Sequence, residues 1–75
     1  MPTETTKPQP NQQLALLRRE LIERGFLPTG NDVSTHADKS GFRSFENWKK
    51  ENHQIMIIID FLNNGVVANV DFINL

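Results

Sequence analysis

The chain has 75 residues, 8 Lys and Arg against 9 Asp and Glu for a formal net charge of −1, and no cysteine. That length admits one small domain, and the balanced charge argues against both a general nucleic-acid binder and a polyanion mimic. The lack of cysteine excludes a disulfide staple and a thiolate metal cluster, so stability rests on one small core, in a size range where dimerisation or ligand binding often completes it.

No apolar run approaches the roughly 18–20 residues of a membrane span. The first residues hold no apolar segment of the secretory type, so the expected setting is the cytoplasm, with no membrane contact.

Residues 1–10, Met-Pro-Thr-Glu-Thr-Thr-Lys-Pro-Gln-Pro, offer three prolines and no large apolar residue beyond Met1. Such a segment buries too little surface to offset its ordering entropy and is expected to be a disordered tail. Pro8 and Pro10 lie two apart, which is not the PxxP spacing of a docking segment.

Residues 11–75 are expected to form the domain. From Asn11 to Arg24, Leu14, Leu17 and Leu21 recur at i, i+3, i+7, with Ala15 and Ile22 widening the stripe. Asn11 is a good N-cap, and Arg19/Glu23 and Glu20/Arg24 are i, i+4 pairs on the other side. Gly25 is the natural left-handed stop, and Phe26 and Leu27 follow where an apolar contact commonly closes such an end. The spacing predicts a helix over 11–24.

Residues 28–40 are mostly polar, with turn chemistry at Gly30-Asn31-Asp32, and are expected to form a long mobile loop. Val33 to Ala37 alone suggests a short edge strand.

Gly41 to Asn52 reads two ways. As a helix, Phe42, Phe45 and Trp48 line up at spacing three. As a strand, Phe42 and Trp48 share one face and Phe45 takes the other. Aromatic richness and the strand that follows favour the strand.

His53 to Leu75 is the strongest signal: two β-branched, aromatic-bearing runs around Asn64-Gly65, the most specific short-range mark of a hairpin. A two-residue turn there sets Phe61 opposite Ala68, Ile59 opposite Val70 and Ile57 opposite Phe72, an apolar face for the helix to cover. The expected fold is therefore α+β, one N-terminal helix packed on a three-stranded antiparallel β-meander.

The opposite face would carry Met56, Ile58, Asp60, Leu62, Val67, Asn69, Asp71 and Ile73, more than half of them apolar. One helix covers one face, so this surplus asks for loop residues, a partner or a second copy of the chain. The last strand also ends the sheet on an edge blunted only by Asn69, Asp71 and Asn74, open to edge-to-edge pairing.

Catalytic signatures are missing. The four glycines are isolated, so no loop cradles a phosphate, and His36 with Asp38 supplies two ligands where a metal needs three or four. Asp60 and Asp71 share a face but have no base or nucleophile beside them. The chain is expected to be non-enzymatic, with no cofactor and no metal.

A binding role remains. Phe42, Arg43, Phe45, Trp48, Lys49 and Lys50 combine aromatic residues with cations, as contact hot spots do, and Met56 and Ile58 extend the surface. The expectation is a regulatory protein that acts by protein–protein contact. In size and style it is comparable to the inhibitors of host proteins encoded by phages and mobile elements. The alternative is a single-stranded nucleic-acid binder that stacks bases on the same hairpin, weakened by Glu46, Glu51, Asp60 and Asp71 nearby.

Overall fold

The structure, a computed structural model, describes residues 9–35 and 40–75. The expected tail therefore lies outside the described residues except for Gln9 and Pro10, as do His36 and Asp38. Among the described residues the order is α1 (Pro10–Glu23), β1 (Leu27–Thr35), β2 (Gly41–Lys50), β3 (His53–Leu62) and β4 (Val67–Asn74). The four strands pair antiparallel in chain order, β1-β2-β3-β4. The fold is α+β, and the expected three-stranded meander is corrected to four.

Helix α1 starts earlier than Asn11 predicts. Gln9 is the N-cap and Pro10 opens the first turn, where its fixed φ suits the helix and its missing N–H costs nothing. The Gln9 backbone N–H donates back to Gln12 Oε1 at 3.2 Å. The other end follows the sequence closely. Gly25 takes φ 92°, the Phe26 N–H reaches the Leu21 carbonyl, and the Gly25 N–H reaches the Ile22 carbonyl. That pair of bonds is a Schellman ending, and Phe26 packs with Leu21 in the core as the motif's apolar contact. Lys50 completes it by donating from Nζ to the Arg24 carbonyl at 2.7 Å.

Strand β1 occupies most of what reads as a mobile loop. An edge strand wet on both faces needs no apolar alternation, so Gly30, Asn31 and Asp32 pass for turn residues although they pair with Asn47, Glu46 and Phe45. Two side chains reinforce the ladder. Buried Ser44 donates from Oγ to Asn31 Oδ1 at 2.7 Å, and Thr29 Oγ1 donates to the Asn47 carbonyl at 3.2 Å.

Gly41 to Lys50 is strand throughout, as the aromatic content favours. It turns into β3 through Glu51-Asn52, with Lys50 opposite His53. The β3–β4 hairpin pairs Ile57 with Phe72 and Ile59 with Val70 as expected, but the turn differs. The Leu62 N–H bonds to the Val66 carbonyl and the Gly65 N–H to the Leu62 carbonyl, closing a three-residue loop of Asn63, Asn64 and Gly65. Gly65 sits at φ 86°, the left-handed position such a loop requires. Phe61 then faces Val67 rather than Ala68. Ala68 is left unpaired as a bulge, which restores the expected register from Asp60/Asn69 onward.

The core is Leu14 and Leu21 from α1, Phe26, Trp48, Ile57 and Ile59, with Leu17, Ile55, Phe61, Val67 and Val70 packed around it. Ile57 is wholly buried, and transfer of such a side chain from water contributes about 1.5–3 kcal/mol. Two expected core residues are not covered. Phe72 is 49% exposed, and Ile22 points away from the sheet.

Two backbone positions are testable by urea denaturation. A Cβ on Gly41 would lie 1.9 Å from the Phe61 carbonyl oxygen, so Gly41→Ala is expected to destabilise the fold by about 1–3 kcal/mol through forced overpacking. Glu51 sits at φ 53°. Glu51→Asn, which tolerates that region, is expected to stabilise by about 0.5–1 kcal/mol, part of the roughly 1–2 kcal/mol left-handed cost.

Candidate functional site

The pleat divides the expected contact residues between two faces. Even-numbered β2 residues pair with odd-numbered β3 residues, Phe42 with Phe61, Ser44 with Ile59, Glu46 with Ile57 and Trp48 with Ile55. Those β3 residues lie under the helix, so their β2 partners do too. Phe42 stacks on Phe61 with ring centroids 4.7 Å apart, and Trp48 is only 4% exposed. Trp48 is therefore a core residue, not an accessible contact. Lys50 belongs to the same side and is engaged at the helix end.

Glu46 joins helix and sheet on this covered face. Its carboxylate accepts from Arg18 Nε at 3.2 Å and from Trp48 Nε1 at 3.1 Å, both at Oε1. Arg18 Nη2 also reaches Glu46 Oε2. The half-covered acid thus receives a two-pronged cation from α1 and the indole N–H from its own strand, leaving neither donor stranded beneath the helix.

The other face is bare, and here the remaining expected residues come together. Phe45 pairs with Ile58, and one step along the strands Met56 pairs with Ile73. Directly opposed side chains on one face lie about 4.5–5.5 Å apart at Cβ, so these four form one apolar patch across β2, β3 and β4. Phe45, Met56 and Ile58 are half-buried by one another, and Ile73 is 45% exposed.

Polar residues surround the patch. Asp32 and Asp71 flank the Phe45–Ile58 row at its two sides. Arg43 and Asp60, cross-strand partners, close one end through Nε–Oδ1 and Nη2–Oδ2 bonds of 2.7 and 3.3 Å. Hydrogen bonding to Asp60, and then its charge, raises the Arg43 pKa, so this guanidinium is cationic at every pH where proteins fold. Lys49 and Gln54 close the other end.

Five of the eight expected contact residues, Arg43, Phe45, Lys49, Met56 and Ile58, thus share the open face, while Phe42, Trp48 and Lys50 do not. Ile73 belongs with the five. Its phase with Asp71 was the sequence signal, visible once β4 was aligned.

Among the described residues no group of three or more His, Cys, Asp or Glu could hold a metal, and no helix is long and apolar enough to cross a membrane. No protein-family model, curated protein or solved structure matches the chain.

Trp48 is the only tryptophan and the chain has no tyrosine, so intrinsic fluorescence reports on this one site. Its emission is expected to be blue-shifted and resistant to acrylamide in the folded protein. Glu46→Ala leaves Arg18 and the indole N–H without their acceptor and is expected to cost about 1–3 kcal/mol in urea melts, with a red-shifted emission. Trp48→Ala is expected to cost about 3–5 kcal/mol, enough to unfold most of a domain this small.

Proposed function

We propose that the chain is a non-enzymatic regulatory protein that binds another protein through the open face of its sheet. It acts as a small cytoplasmic inhibitor, of the kind that phages and mobile elements encode to act on host proteins. The observation that carries this reading is the apolar quartet of Phe45, Ile58, Met56 and Ile73, ringed by polar side chains on a face that no described element covers. A dry centre with a polar rim is the anatomy of a protein–protein interface.

The rim also constrains the partner. Arg43 is taken up by Asp60, which leaves Asp32 and Asp71 beside the patch and Lys49 at one end. A partner with an apolar protrusion flanked by basic groups complements this surface best.

The single-stranded nucleic-acid reading has less support. It relied on three aromatic residues as a stacking platform, but Phe42 and Trp48 are on the opposite side of the sheet from Phe45, Phe42 stacked on Phe61 and Trp48 buried. Phe45 is the one aromatic residue on the open face among the described residues. The acids there outnumber the bases, which repels phosphate rather than neutralising it.

Affinity capture from lysate with wild type, Phe45→Lys and Ile58→Lys tests the reading, with Trp48 emission confirming that each variant is folded. Both variants are expected to lose a protein that wild type recovers, since central contacts are typically worth about 2 kcal/mol or more. Equal recovery by all three proteins defeats the proposal. A labelled oligonucleotide titrated at low salt is expected to show no binding, and steep salt-dependent binding would revive the alternative.

A further inference from the structure

We propose that the free edge of β4 pairs antiparallel with the same edge of a second copy of this chain, about a two-fold axis at Phe72. The sheet has two edges of different character. β1 is interrupted by Pro28, a register shift before Gly30, and Asp32, all features that discourage strand addition. From Asn69 to Asn74, β4 pairs with β3 without irregularity and carries no proline, no cation and a single charge, Asp71.

The hydrogen-bonding phase of that edge follows from one bond. The Leu75 N–H donates to the Gln54 carbonyl at 2.9 Å, so residues 69, 71 and 73 turn their backbone groups toward β3 and residues 70, 72 and 74 turn theirs outward. The Phe72 N–H agrees, for it is held by the neighbouring Asp71 Oδ1 at 2.8 Å rather than by a strand. Outward groups at Val70 and Asn74, and at Phe72 once its N–H exchanges Asp71 Oδ1 for a strand carbonyl, are a template for another extended strand.

The register selects the chain itself as that strand. With the axis at Phe72, Phe72 meets its counterpart, Val70 meets Asn74, and Asp71 lies opposite Ile73. Every outward residue then finds an outward partner. An axis at Asp71 would set two carboxylates face to face, which is unfavourable in a cross-strand pair. An axis at Ile73 would set each Phe72 opposite Asn74 and each Asp71 opposite Leu75, so the two rings would not meet.

The helix layer points the same way. Between α1 and the β4 side of the sheet runs a groove of about 420 Å³, lined by Leu16, Leu17, Leu21, Ile55 and Phe72. Leu16 is 53% exposed and Phe72 49%. A lone foreign strand completes the sheet but leaves this groove open. A second copy related by a two-fold perpendicular to the sheet brings its own α1 to the same side, over the exposed Phe72 and Leu16. The charges lining the groove, Glu20 and Arg24, already neutralise each other at 2.6 Å, so the two copies meet there without net repulsion.

Sedimentation over a concentration series with the wild-type 75-residue chain, Phe72→Lys and Asn74→Pro tests the proposal. Phe72→Lys places two cations on the axis. Asn74→Pro removes an outward N–H and leaves the bonds to β3 in place. Wild type is expected to approach twice the chain mass with rising concentration, with Val70, Phe72 and Asn74 amides gaining protection from hydrogen exchange. Both variants are expected to keep native Trp48 emission and raise the dissociation constant roughly tenfold or more. Wild type that stays monomeric throughout overturns the proposal. So does a dimer that shows no added protection at these three amides, or one that Phe72→Lys leaves intact while Ile58→Lys abolishes it.

Discussion

The fold depends on how one carboxylate, Glu46, is satisfied between the helix and the sheet. Four strands in a meander need only local pairings, but a helix laid over them must be fixed in position and angle. Apolar contact alone is non-directional. The fork from Arg18 and the indole N–H of Trp48 converge on Glu46 and tie α1, whose backbone runs closest to β4, to β2 in one orientation. At the far end of the helix, Lys50 holds the Arg24 carbonyl, so β2 clasps α1 through two residues four positions apart. The partly buried polar network and the apolar core around Ile57 and Ile59 thus act together, one specifying geometry and the other supplying most of the driving force.

That arrangement decides which aromatic residues are available to the outside. A strand alternates sides, so committing Glu46 to the helix commits Phe42 and Trp48 as well and sends Arg43, Phe45 and Lys49 to the opposite surface. The open face is a by-product of covering the other one. With a single helix, no second layer exists among the described residues to hide Phe45, Ile58, Met56 and Ile73. Leaving these four apolar side chains open to water is the cost that the proposed docking role would offset.

The sequence carried the helix, its stop at Gly25 and the pairing of Ile57 and Ile59 with β4, because each rests on a local rule: a 3.6 period, a left-handed glycine, a two-residue alternation. β1 was legible only in the short edge strand suggested from Val33, because the ladder before it is held by backbone bonds and by Ser44, none of which imposes an apolar pattern on Gly30-Asn31-Asp32. The split of the candidate site was half legible. Parity alone separated Phe42 and Trp48 from Phe45. Which set would be buried needed the β2–β3 register, fixed by the Glu51-Asn52 turn, and that pair carries no strong turn signature.

The bulge at Ala68 works as a phase corrector. The three-residue loop at Asn63-Asn64-Gly65 delivers the chain into β4 one residue out of step, and Ala68 takes up the difference. Left uncorrected, that slip would turn Asp71 and Ile73 toward the helix and push Val70 and Phe72 onto the open surface. Val67 lies out of phase with Val70 and Phe72 for this reason: it belongs to the frame before the correction. Loop length and bulge are therefore a coupled pair, and the chain can change either one only by changing both.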